Sequence, residues 1–112
     1  MSNDIGDQFY RDVLARGLAA VTEYRSSRVF NEEQVNSIGY RLLAKKQNRE
    51  AIEMFKMNVE DHPKSANVYD SLGEAYMKSG DKNAAIENYK KNLELNPSND
   101  NAREMLKRIQ RN

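Results

Sequence analysis

Two prolines, Pro63 and Pro97, stand 34 residues apart in a chain that has no others. The same interval separates Gly39 from Gly73, Ala51 from Ala85, Ile52 from Ile86, Glu53 from Glu87 and Asn58 from Asn92. Laid without a gap over residues 65–98, residues 31–64 share nine identities, where ordinary residue usage gives about two by chance. Non-identical pairs keep their character: Ile38 with Leu72, Leu42 with Tyr76, Phe55 with Tyr89. An internal repeat of this length reads as stacked supersecondary units, each burying its apolar face only against its neighbours.

Within a unit the apolar spacing is helical. Tyr69, Leu72, Tyr76 and Met77 recur at i, i+3, i+7, i+8, and Ile86, Tyr89 and Leu93 at i, i+3, i+7. Between the two runs, Gly80 can take the left-handed conformation that ends a helix, and Asp81 can cap the next. Asn31 with Gln34 has the spacing of a capping box. The expected helices are 32–45, 48–61, 66–79 and 82–95, with Pro63 and Pro97 where each second helix ends. Gly73 falls mid-helix, at a cost of roughly 1 kcal/mol against alanine. That cost makes sense where another helix crosses closely, with Ala85 as the small partner. A phosphate loop is excluded, because no strand precedes these glycines and no GK[ST] follows them.

Leu72-Gly73, Tyr76, Gly80-Asp81, Ala85-Ile86, Tyr89, Leu93 and Pro97 together closely resemble the tetratricopeptide repeat. Residues 31–64 match more loosely: Gly39, Ala51, Ile52, Phe55 and Pro63 stand, while Leu42 takes the tyrosine place and Lys46 the turn glycine. The resemblance implies an all-α fold, a right-handed solenoid of antiparallel helical hairpins. Asn58 and Asn92 stand where the family prefers alanine, and their recurrence suggests a shared bond to the loop into the next unit.

Two units alone would be marginal, so the flanks should be helical too. Residues 99–112 read as a capping helix over 100–110, with Ala102, Leu106 and Ile109 on one face and Ser98 or Asn99 as cap. Lys107 occupies the place of Gly39 and Gly73, which fits a terminal, solvent-facing helix. Residues 1–30 read as a degenerate hairpin, with helices near 5–15 and 18–28, or alternatively one helix through Gly17. The whole, 1–112, is one domain's worth of chain. "GYRLL" at 39–43, residues 51–97 and the closing "NAREMLKRI" also resemble the helical tails that follow some bacterial serine-hydrolase and esterase catalytic domains. On that resemblance the chain is an excised C-terminal domain, with none of the parent's catalytic residues.

The remaining chemistry is sparse. With no cysteine and a single histidine, His62, the chain has neither a thiolate nor the ligands for a closed zinc site. Ser65, Ser71 and Ser79 have no nucleophile-elbow setting and read as caps or surface residues. Asp70 and Glu74 lie at i, i+4, but a repeat array offers no deep dry pocket to shift their pKa values, so an acid–base pair is disfavoured. Eighteen Lys and Arg against seventeen Asp and Glu give +1, which marks neither a nucleic-acid nor a membrane binder. The start, "MSNDIGDQFYRD", lacks a signal-peptide pattern, and no apolar run could span a bilayer. No enzymatic role, cofactor or metal is expected.

The resemblance implies a concave face, made by the first helix of each unit, that binds a peptide or partner domain. Matching positions are Glu33, Asn36, Tyr40, Leu43 and Ala44, then Asn67, Asp70, Glu74, Met77 and Lys78, with Asn101, Glu104 and Arg108 on the cap. Of these, Asn36, Tyr40, Leu43, Asn67, Asp70, Glu74, Met77 and Arg108 are the candidate partner-binding residues. Tyr40, Leu43 and Met77 are apolar where solvent is otherwise expected. The face is either a ligand groove or a surface covered by the N-terminal helices. Some relatives grip a partner's terminal carboxylates with a lysine–asparagine clamp; Asn36, Tyr40, Asp70 and Glu74 here do not supply one. An acidic middle instead suits an apolar, partly basic ligand. A homodimer formed by stacking exposed end repeats is the alternative.

Overall fold

Local chain chemistry sets where each helix starts and stops. The computed structural model describes residues 4–111, and among these every regular element is an α-helix. In chain order they are α1 (Ile5–Arg16), α2 (Leu18–Ser27), α3 (Glu32–Ala44), α4 (Asn48–Asp61), α5 (Ala66–Ser79), α6 (Lys82–Leu95) and α7 (Asp100–Arg111). Residues 1–3 and 112, the ends of the expected hairpin and cap, lie outside the described residues.

The Asn31 carboxamide accepts from the Gln34 amide at 2.8 Å, and the Gln34 side chain accepts from the Asn31 amide at 2.9 Å. This reciprocal box satisfies two of the donors that a helix start leaves free. Asp81 accepts from Ala84 N–H at 3.1 Å, and Asn99, not Ser98, accepts from Ala102 N–H at 3.2 Å. At the other ends, Gly80 closes α5 at φ 89° and Lys46 follows α3 at φ 61°. The two turns make the same closing bond, Asp81 N–H to Tyr76 C=O at 3.0 Å and Gln47 N–H to Leu42 C=O at 2.9 Å. Lys46 therefore adopts the backbone that glycine adopts more easily, at a cost of roughly 1 kcal/mol. Gly17, at φ 63° and ψ −136°, breaks the chain between α1 and α2, so the single-helix alternative does not occur.

The helices stack as antiparallel pairs. α3 packs on α4, α5 on α6, and α4 on α5; α1 lies along α3 and α2 along α4. The result is an elongated, tetratricopeptide-like solenoid of 43 × 26 × 25 Å. One core cluster runs from Tyr10 and Val13 through Leu42, Met54 and Phe55 to Leu72 and Ala75. A second joins Ala85 and Tyr89 to Ala102 and Ile109, which holds α7 in place. Arg28, itself left-handed at φ 46°, reaches Glu60 and Asp61 at 2.8 Å each. Those carboxylates sit at the negative end of the α4 dipole, where a guanidinium relieves repulsion.

Three expectations need correction. The group that Gly73 accommodates is the Tyr89 ring, 3.1 Å from where a Cβ would stand, not Ala85. Asn58 donates back to the first carbonyl of its own pair, Glu32 at 3.1 Å, whereas Asn92 both donates back to Ala66 C=O at 2.7 Å and bonds the following loop as expected, accepting from Asn99 Nδ2 at 2.8 Å. Ser71 is buried, neither a cap nor a surface residue. Among the described residues, no helix is long and apolar enough to cross a membrane.

Candidate functional site

Helices α3, α5 and α7 are related by the 34-residue register, which sets their side chains in rows: Asn36, Asp70 and Glu104, then Tyr40, Glu74 and Arg108, then Leu43 and Met77. The structure ties the first two helices together across these rows. The Ser71 hydroxyl donates to the Asn36 carboxamide oxygen at 2.5 Å, and the Tyr40 hydroxyl donates to Glu74 Oε1 at 3.0 Å. The Tyr40 ring stands edge-on to Phe55, with centroids 5.3 Å apart. Burial is the main reason that the Tyr40 phenol is pushed up to about 12, so it remains a donor throughout the neutral range.

Asp70, half-buried, lies one helical turn before Glu74. Burial raises its carboxyl above the usual range, and the Glu74 carboxylate adds to the shift. The expectation that the array could not shift these carboxyls is therefore wrong for Asp70: half-burial beside a like charge suffices. Among the described residues, neither Asp70 nor Glu74 has a cation partner within ion-pair distance.

Between α5 and α7 lies a cavity of about 470 Å³, lined by Glu74, Met77, Lys78, Tyr89, Asn101 and Met105. Met77 and Met105 come from the facing first-position helices, and Tyr89 comes from α6 behind them. Tyr89 reaches the cavity because Gly73 presents no Cβ to its ring. A second hollow of about 420 Å³ joins the C-terminal ends of α3 and α5, lined by Leu43, Ala44, Lys46, Asn48 and Lys78. Lys78 lines both hollows; Glu74 is the carboxylate of the larger one, and Lys46 adds a second ammonium to the smaller.

The candidate residues do not all gather. Glu74 and Met77 line the larger cavity, Tyr40 and Asn36 bridge α3 to α5, and Asp70 stands beside Glu74. Asn67 is exposed at the start of α5, and Arg108 is exposed on α7 away from the cavity lining. Leu43 is only 5% exposed and belongs to the core, not to an open apolar surface. Its side chain packs inward because α3 buries Leu42 and Leu43 together. Tyr89 and Met105 pack in the second core cluster and also line the cavity; in the sequence, Gly73 is the signal available for Tyr89. No residue of α1 or α2 lines either cavity, and those helices continue the stack beside α3 and α4.

Residues 66–99 match the family model of the tetratricopeptide repeat. Residues 66–99 are a tetratricopeptide repeat. The match covers α5, α6 and the loop that caps α7. No curated protein matches the chain. The likeness to hydrolase tails rests on the quoted stretches alone.

Proposed function

We propose that this tetratricopeptide-repeat domain binds a peptide segment of a protein partner on the face formed by α3, α5 and α7, and performs no chemistry of its own. The observation that carries the reading is the cavity between α5 and α7, with methionine walls, a tyrosine floor and polar groups at its rim. Methionine side chains adapt to varied apolar groups, and rim groups such as Asn101 can fix a backbone with hydrogen bonds worth about 1 kcal/mol each. Met77→Glu puts a charge into the apolar slot at a half-buried position on the edge of the Ala85–Tyr89 cluster. It is expected to weaken binding of display-selected peptides by about tenfold or more, read by fluorescence anisotropy, with the helical signal unchanged. Undiminished binding by this variant would remove the face from consideration.

A second reading has its own observation. Ile5 and Val29 are 65% and 66% exposed, and with Phe9, Tyr24 and Phe30 they line a hollow on the N-terminal pair. If copies stack through that end, sedimentation mass should rise with concentration above 12.9 kDa, and Val29→Asp should abolish the rise. A constant mass over the whole range would end that reading.

A further inference from the structure

We infer that the bound segment presents a lysine or arginine next to a large apolar side chain, the cation beside Asp70 and Glu74 and the apolar group between Met77 and Met105. This rests on the reading of the α3–α5–α7 face as a peptide groove and names the chemistry of its occupant.

The groove commits to that occupant through its charges. Asp70 and Glu74 project one turn apart from the same side of α5, both half-buried, and repel one another without a cation to relieve them. Such a pair stores an unfavourable interaction that an incoming ammonium or guanidinium removes. Glu74 already takes one hydrogen bond at Oε1 from Tyr40, which fixes the carboxylate; its other oxygen has no donor among the described residues. A long basic side chain is also suited to the walls. Its methylenes can lie along Met77 while the charged head reaches the carboxylates.

Other occupants fit worse. An acidic peptide would meet Glu74 in the cavity and Asp70 one turn further along α5, with Lys78 as the one cation in the lining. A wholly apolar segment would fill the slot but would further desolvate Asp70 and Glu74 without compensation, which is costly. The ammonium groups of Lys46 and Lys78 line the second hollow, so a partner with its cation placed over the C-terminal ends of α3 and α5 would be repelled. The charges therefore set a direction as well as a composition.

Random dodecapeptides displayed on phage and selected on the immobilised domain supply the probes, each remade synthetically for anisotropy measurements. The expected result is enrichment of Lys or Arg within two positions of Leu, Ile, Met or Phe. The Asp70→Asn/Glu74→Gln double variant should weaken these peptides about tenfold. Replacing the peptide's own basic residue by glutamine should do the same against the wild-type domain, which keeps the test valid whatever the variant's fold. Peptides that lack a cation, bind the double variant undiminished and are lost on Met77→Glu would overturn this inference and leave the peptide groove standing. Peptides indifferent to Asp70, Glu74 and Met77 alike would overturn both.

Discussion

Gly39→Ala is expected to cost roughly 2 kcal/mol of unfolding free energy, although alanine is the better helix former. A Cβ at position 39 would stand 2.4 Å from both Cε1 and Cζ of Phe55. Phe55 is fully buried and edge-packed against Tyr40, so its ring has no free space to retreat into. Overpacking of this severity costs about 3 kcal/mol, offset by about 1 kcal/mol of helix propensity. Gly73→Ala provides the internal control. Its nearest contact is Tyr89 at 3.1 Å, so a shift of a few tenths of an ångström relieves it and propensity can balance the overlap. The net change there should lie within about 1 kcal/mol of zero. In urea titrations, the Gly39→Ala midpoint should fall well below that of Gly73→Ala with similar slopes. Equal midpoints would mean that Phe55 is not locked, and that α3 and α4 approach less closely than the structure places them.

The contrast between these two glycines shows what the sequence could and could not convey. Both were readable as close-approach positions, because a helical glycine recurring at the repeat interval needs a packing reason. The crossing partner was not readable. Tyr89 and Ala85 lie one turn apart on the same side of α6, and only the relative rotation and slide of two helices decides which one meets Gly73. Helix boundaries were legible for the opposite reason. Asn31 with Gln34, and Gly80 with Asp81, act within a few residues of chain, so their chemistry is complete locally.

The candidate site divides in the same way. The rows containing Asp70, Glu74, Tyr40 and Met77 follow from the 34-residue register, which any stacked repeat preserves. Exposure does not follow from register. Leu43 occupies the row of Met77 yet is buried within the first core cluster, at the edge of the second hollow. Met77 instead faces the opening left beside α7. The shift at Asp70 was equally hidden: half-burial beside Glu74 depends on how neighbouring helices pack around α5, a property of the stack and not of either carboxylate.

Asn92→Ala is expected to be the more damaging of two substitutions that family preference would favour, costing roughly 2–3 kcal/mol. Alanine is the usual residue at this place in the repeat, and moves toward a family's preferred residue commonly stabilise. Here the side chain is 1% exposed and works in two directions. Nδ2 donates to the Ala66 carbonyl at 2.7 Å, and Oδ1 accepts from Asn99 Nδ2 at 2.8 Å. Asn99 in turn holds the first turn of α7 through Ala102 N–H. One buried amide therefore links the start of α5, the body of α6 and the cap of α7. Asn58 makes the corresponding bond to Glu32, but position 65 is serine, whose hydroxyl donates to the Glu32 carboxylate at 2.7 Å. Asn58→Ala should therefore cost less, about 1–2 kcal/mol. Beyond the difference in midpoints, Asn92→Ala should raise amide exchange in α7 selectively, because loss of the Asn99 contact frees its cap. Since Met105 on α7 walls the larger cavity, the same substitution should weaken peptide binding, whereas Asn58→Ala should leave it unchanged. Uniform exchange along the chain in the Asn92 variant would show that α7 is held by Ala102 and Ile109 alone.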